Sequence, residues 1–269
     1  MKTPNFLIAI ICIALFSACE NDTPKTKLIT SEKEQTIKGN DDRVILEKAH
    51  KKSAFLSNQA IRFKINLSFG GKERLAGKMT LATNSTAGKI EYKNGNVLLY
   101  NKEGIFHSDS MGSDSKLRFA AYTWSYFFLL PYKLSDPGTN WRPLNLPSLG
   151  DSKQSVYHLS FNAGIGDAPD DWYKIYANQK SNLVEAASYI VTANKTKEEA
   201  EKDPHAIQYL NYKLVSGVPI AHKWAFWAWR ADSGLTKQLG NTQIENVEFI
   251  AIKNDFFHSD SSLIQLPSN

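Results

Sequence analysis

The sequence predicts an α+β fold: an antiparallel sheet of about ten strands with one main apolar helix and one or two minor helices. Three observations carry this. Short alternating apolar runs recur, beginning with Ile61-Arg62-Phe63-Lys64-Ile65-Asn66-Leu67. Gly70-Gly71 and Asn94-Gly95 read as tight turns between such runs, because these residues accept a positive φ. One stretch, Leu117 to Leu130, is apolar at nearly every position instead of every second one.

The first element is not part of that fold. Lys2 supplies a positive start, and an apolar run follows from Phe6 to Phe16. A bilayer-spanning helix needs roughly 20 apolar residues, and this run has the length of a secretory leader instead. Phe16 sits three places before a cut after Ala18, where ordinary leader cleavage wants a small residue. Leu15-Phe16-Ser17-Ala18-Cys19 resembles the lipobox read by lipoprotein signal peptidase. Residues 1–18 are therefore expected to be removed and Cys19 to carry the lipid. A plain secreted protein and an N-terminal membrane anchor are the alternatives.

Cys12 leaves with the leader, so Cys19 is the only mature cysteine. Acylating it removes disulfides, thiol catalysis and cysteine metal sites together. Residues 19–42 are polar, charged and short of aromatics, and are expected to form a disordered tether. A chain of that length reaches on the order of 25 Å. Residues 43–269 then form a single domain long enough for one sizeable core. The leader carries one cation, Lys2, and no acid, so the formal charge of +5 falls to about +4. The remaining charges form no basic stripe, which argues against nucleic acid as a partner.

Asp42 to Lys52 is expected to be helical, with Val44, Ile45, Leu46 and Ala49 on one face and Asp41 or Asp42 as cap. Strands are expected at residues 61–67, 78–83, 88–93 and 97–100. The run from Leu117 to Leu130 is too long for an ordinary strand and too short to span a membrane. It is expected to be a buried helix, opened by Asp114 or Ser115 and stopped by Pro131. Ser135-Asp136-Pro137-Gly138 is a turn. Strands resume at 156–161, 172–177, 183–192, 207–214, 222–230 and 243–250, with a short charged helix or loop at 196–202.

The richest functional signal is aromatic. In His222-Lys223-Trp224-Ala225-Phe226-Trp227-Ala228-Trp229-Arg230, Trp224 and Phe226 point one way and Trp227 and Trp229 the other. Both faces of this strand must be covered. The rings are either core or the lining of an apolar pocket. Asp167-Ala168-Pro169-Asp170-Asp171 offers three carboxylates, read as turn chemistry, a cation site or acid–base groups. Asp136 reads as a turn and cap residue. The six histidines lack metal-binding spacing and no nucleophile elbow is present, so neither a metal, a cofactor nor an enzyme is expected.

Two stretches carry a resemblance. Leu130-Pro131-Tyr132-Lys133-Leu134-Ser135-Asp136-Pro137-Gly138 and Gly164-Ile165-Gly166-Asp167-Ala168-Pro169-Asp170-Asp171-Trp172-Tyr173 resemble motifs of an uncharacterised lipoprotein family of Gram-negative bacteria. The resemblance runs from about Val44 to Phe257. It departs at Ala49-His50-Lys51-Lys52, where relatives have His followed by glycines. The layout is similar to the LolA/LolB-like lipoprotein carrier, an antiparallel half-barrel wrapped over helices around an apolar cavity. That resemblance implies a lipid or other apolar ligand held between the sheet and the 117–130 helix. Trp124, Phe127, Phe128, Trp224 and Trp227 are the candidate contacts. It also implies a cell-envelope location, lipid-anchored at the outer membrane, and a monomer. The alternatives are an interaction protein with a filled core, and a metal-binding or hydrolytic protein using Asp167, Asp170 and Asp171.

Overall fold

The computed structural model describes residues 41–112 and 115–267. The leader, Cys19 and the tether up to residue 40 lie outside the described residues, as does Asp114. Two short helices come first, α1 (Asp42–Ala49) and α2 (Lys52–Leu56). A meander follows: β1 (Ala60–Phe69), β2 (Lys72–Ala82), β3 (Gly88–Tyr92), β4 (Val97–Asn101) and β5 (Gly104–Ser108). The main helix is α3 (Ser115–Leu129). A second meander contains β6 (Thr139–Leu144), β7 (Gln154–Phe161), β8 (Tyr173–Asn178) and β9 (Val184–Tyr189). After the four-residue α4 (Lys197–Ala200) it continues with β10 (His205–Val215), β11 (Val218–Arg230) and β12 (Gly234–Ile250). The short β13 (Leu263–Gln265) ends it.

The strands form one antiparallel sheet in the order β13-β5-β4-β3-β2-β1-β12-β11-β10-β9-β8-β7-β6. Its two edges, β13 and β6, do not pair, so the sheet is open. It is also strongly curved, as α3 demonstrates. Tyr122 meets Tyr100 of β4 at 5.3 Å, and Tyr126, one turn on, meets Phe161 of β7 at 6.4 Å. β4 and β7 stand nine steps apart in the strand order. A flat sheet would separate them by roughly 43 Å. Only a sheet wrapped around α3 lets one helix touch both. Backbones approach closely within it: a side chain on Gly240 would meet the Ser68 carbonyl oxygen at 2.1 Å, and one on Gly77 that of Glu91 at 2.2 Å.

This architecture corrects three expectations. The described residues are mostly β, with α3 as their one long helix. Among them thirteen strands replace about ten. The additional ones are β5, β6 and β13. β13 has three residues, too few for a period to register. β6 is half polar and contains Pro143, which lacks a donor for an interior ladder; the structure places it at the sheet edge, where that is tolerated. The helix expected from Asp42 to Lys52 divides in two, because Lys51 adopts a left-handed φ of 58°. Its buried positions are Leu46 and Glu47, whereas Val44 is exposed.

Local chemistry explains the ends of the main elements. The Asp41 carboxylate caps α1 by accepting from the Arg43 N–H at 3.0 Å. Pro131 ends α3 in a single 3₁₀ turn, Leu130–Tyr132. In a continuing helix the Phe127 carbonyl would accept from residue 131, which as proline has no N–H. The Tyr209 hydroxyl donates to it instead, at 2.8 Å. The larger core lies on the inner face, between the sheet and α3. A smaller one lies on the opposite face around Trp172, Tyr176, Ile190 and Trp229.

Candidate functional site

The inner face brings four of the five aromatic candidates together. Phe128 stacks on Phe63 of β1, centroids 4.3 Å apart, and meets Trp224 at 6.4 Å. Phe127 meets Tyr189 at 4.8 Å, and both Trp124 and Phe127 approach Phe226 at about 6 Å. Trp124, Phe127, Phe128 and Trp224 are buried. Strand alternation sends Trp227 to the outer face, where it packs beside the smaller core with its indole N–H unpartnered. A void of about 10 Å³ remains beside Phe128, Trp224, Tyr132, Tyr212 and His50. That is room for about one water. The inner face is therefore filled by α3 in this structure.

His50 borders that void. Its Nε2 accepts from the Val184 N–H at 2.9 Å, while Nδ1 has no partner. Burial drives its pKa from 6.5 down to about 3, so the ring is neutral. With Nε2 accepting, the proton sits on Nδ1.

Three of the four acidic candidates have separate partners. Asp136 accepts from Lys133 and lies 3.5 Å from the Lys52 ammonium, and its carbonyl accepts from Thr139. Asp167 accepts from Arg118 Nε at 2.8 Å. Asp171 accepts from the N–H and hydroxyl of Thr192 at 2.8 and 2.7 Å. Burial raises its pKa despite those bonds, and Asp170 and Asp167 add to the rise. Asp170 is exposed. Among the described residues no group of three or more His, Cys, Asp or Glu is placed to hold a metal ion.

Sequence reasoning missed two features. Glu47 is buried on α1; it accepts from Lys52 Nζ at 2.9 Å, the Ser135 N–H at 2.8 Å and the Ser135 hydroxyl at 2.6 Å. It ties α1 to the turn after α3. The second is a cavity of about 720 Å³ on the outer face, over β6, β7 and β8 and beneath α4. Alternation places Arg142, His158, Trp172 and Lys174 on that face, and Trp229 joins them from β11. The Lys174 ammonium lies 4.5 Å from the Trp172 ring and 4.3 Å from that of Trp229. The signal was present in the alternation of Trp172, Lys174 and Tyr176, but the partner tryptophan is remote in sequence.

The sequence matches no protein-family model and no curated protein. Solved structures do match. A DUF1329 family protein from Desulfovibrio piger aligns over 81% of this chain and 98% of its own, with 11% identity and a TM-score of 0.51. A LolA superfamily protein from Nitrosomonas europaea aligns over 80% and 97%, with 10% identity and a TM-score of 0.48. The first of these likenesses places the chain in a fold already seen in that DUF1329 protein.

Proposed function

We propose that this chain is a non-enzymatic envelope lipoprotein of carrier type, anchored through Cys19, that shelters an acyl chain or other apolar ligand against the inner face of its curved sheet. The observation that supports this is how α3 is held. Rings and aliphatic side chains fill most of its contact with the sheet, and the Tyr209–Phe127 bond is one directional tie beside them. Apolar contact is non-directional, so an acyl chain can take the place of side chains. Sheltering about fifteen methylenes returns roughly 12 kcal/mol towards the cost of uncovering the inner face. The similarity of the expected layout to the LolA/LolB-like lipoprotein carrier points the same way. Binding then requires α3 to move off the sheet.

The test is native mass spectrometry and lipid extraction of the full chain purified from membranes, with titration of a fluorescent fatty acid. Co-purifying lipid and saturable, displaceable binding are expected. Neither a bound lipid nor a saturable signal would sink the reading. The filled interior, with a void of only about 10 Å³ beside Phe128, favours a second reading as an interaction protein. In that case the fatty acid leaves the melting temperature unchanged, and a protein partner is recovered reproducibly.

A further inference from the structure

The outer-face cavity has a different character from the inner face. Its volume of about 720 Å³ falls in the range of small-molecule sites. Its floor is Lys174 held between two indole faces, Trp172 and Trp229. Arg142 and Lys197 stand exposed at the rim, and Lys202 and Arg230 also line it. Among the described residues no carboxylate forms an ion pair with Lys174, Arg142 or Lys197. The buried Nδ1 of His158 has no partner. Carboxylates are present too, but two are engaged: Asp171 with Thr192, and Glu201 with the Trp172 indole N–H at 3.1 Å. Asp170 remains exposed among the lining residues.

We infer that this cavity is a second binding site, for an organic anion. Its phosphate or carboxylate would meet Lys174, Arg142 and Lys197, and its apolar body would lie on Leu144 and Leu146. The cations act on one another already. Burial first, then Arg142, Lys174 and Lys197, hold the His158 ring below its ordinary pKa. Burial and Arg142 likewise hold the Lys174 ammonium below its own, against the opposing field of Glu201. An anion in their midst relieves that repulsion. The indole faces keep the ammonium in place without neutralising it, so it remains free to meet the incoming charge. This site is independent of the inner-face reading and uses none of its residues.

Isothermal titration calorimetry of the full chain in nonionic detergent tests the inference with three probes. They are inorganic phosphate, phenyl phosphate, and mixed micelles of the same detergent with phosphatidylcholine, with and without phosphatidic acid. Saturable binding of phenyl phosphate tighter than inorganic phosphate identifies a soluble organic anion as the ligand. Binding confined to micelles with phosphatidic acid identifies a lipid head group. Lys174→Met keeps the stem between the two indoles and removes the charge. It is expected to weaken binding about tenfold, a loss of about 1.4 kcal/mol. Arg142→Gln, at the exposed rim, should weaken it in the same direction and lower the salt dependence. Lys213→Gln, at an exposed position of β10, should change nothing. No saturable binding of any probe overturns the inference, as does equal binding by the wild type and both cavity variants. Arg142→Gln keeps the test decisive if Lys174→Met fails to fold.

Discussion

The Tyr209 hydroxyl donates at 2.8 Å to the Phe127 carbonyl, the one acceptor in α3 that Pro131 leaves without its backbone donor. A proline chosen to stop the helix thus creates a buried debt that a strand of the sheet settles, and in doing so it fixes the rotation of α3 against β10. Tyr209→Phe keeps the ring and removes the donor. An orphaned buried carbonyl costs about 1–3 kcal/mol. For a domain of this size that lowers the melting temperature by roughly 2–12 °C. Pro131→Ala restores an N–H at the right position, so the double variant should recover part of the loss. A strictly additive pair of losses would mean the two residues are not coupled.

His50 makes stability depend on pH in a defined direction. The folded ring stays neutral down to about 3, while the unfolded ring takes up a proton below 6.5. Below 6.5 the unfolded state therefore binds more protons, and stability falls as pH drops from 6.5 towards 3. Each unit costs up to about 1.4 kcal/mol, and above 6.5 the group has no effect. His50→Gln can still accept from Val184 and cannot titrate. Urea unfolding at several pH values should show a flatter profile for the variant across that window. Parallel curves for the two proteins would assign the acid loss to other groups.

Asp170 and Asp171 are neighbours in sequence with opposite roles. Asp171 orders the loop by accepting twice from Thr192, and Asp170 is exposed. Asp171→Ala should cost about 1–3 kcal/mol, because it leaves the Thr192 donors unmet. Asp170→Ala should stay within about 0.5 kcal/mol. Thermal melts of the two single variants separate these outcomes. Equal, negligible effects would return the loop to consideration as a site of chemistry.

Much of the fold was legible because its signals are local. Alternation marked β1, Asn94-Gly95 marked the β3–β4 hairpin, and Pro131 marked the end of α3. The Trp224–Trp229 strand revealed that both faces are covered, since period-two alternation cannot hide rings on either side. What stayed hidden was long-range. β6 carries Pro143 and polar residues, and only its edge position makes it a strand. The cavity joins Trp172 to Trp229 through a meander that no periodicity in either strand encodes. Glu47 reads as an ordinary helix-surface residue until the turn at Ser135 is folded against it.

The anchor is testable apart from the fold. Cys19→Ser removes the proposed acylation site and the one cysteine that follows the expected leader. The variant should leave the membrane fraction and retain its leader, giving a heavier intact mass than the processed wild type. A variant that still sediments with membranes would point to attachment by the leader or by the folded domain.

Phe128 connects stability to the proposed ligand. It is buried and stacked face to face on Phe63 at 4.3 Å, at the centre of the contact between α3 and β1. Phe128→Ala removes the ring without breaking a side-chain hydrogen bond, and should cost about 3–5 kcal/mol. The cavity left behind lies between Phe63 and Trp224 and joins the small void beside His50, and its largely apolar walls suit a small apolar molecule. A ligand at about a hundred times its Kd returns roughly 2.7 kcal/mol. Benzene should therefore raise the melting temperature of Phe128→Ala and leave the wild type unchanged. A fatty acid should stabilise both if α3 yields to it, and neither if α3 is a permanent part of the core. Melting curves of the two proteins with the two ligands thus separate a cavity made by mutation from a site the native fold can open.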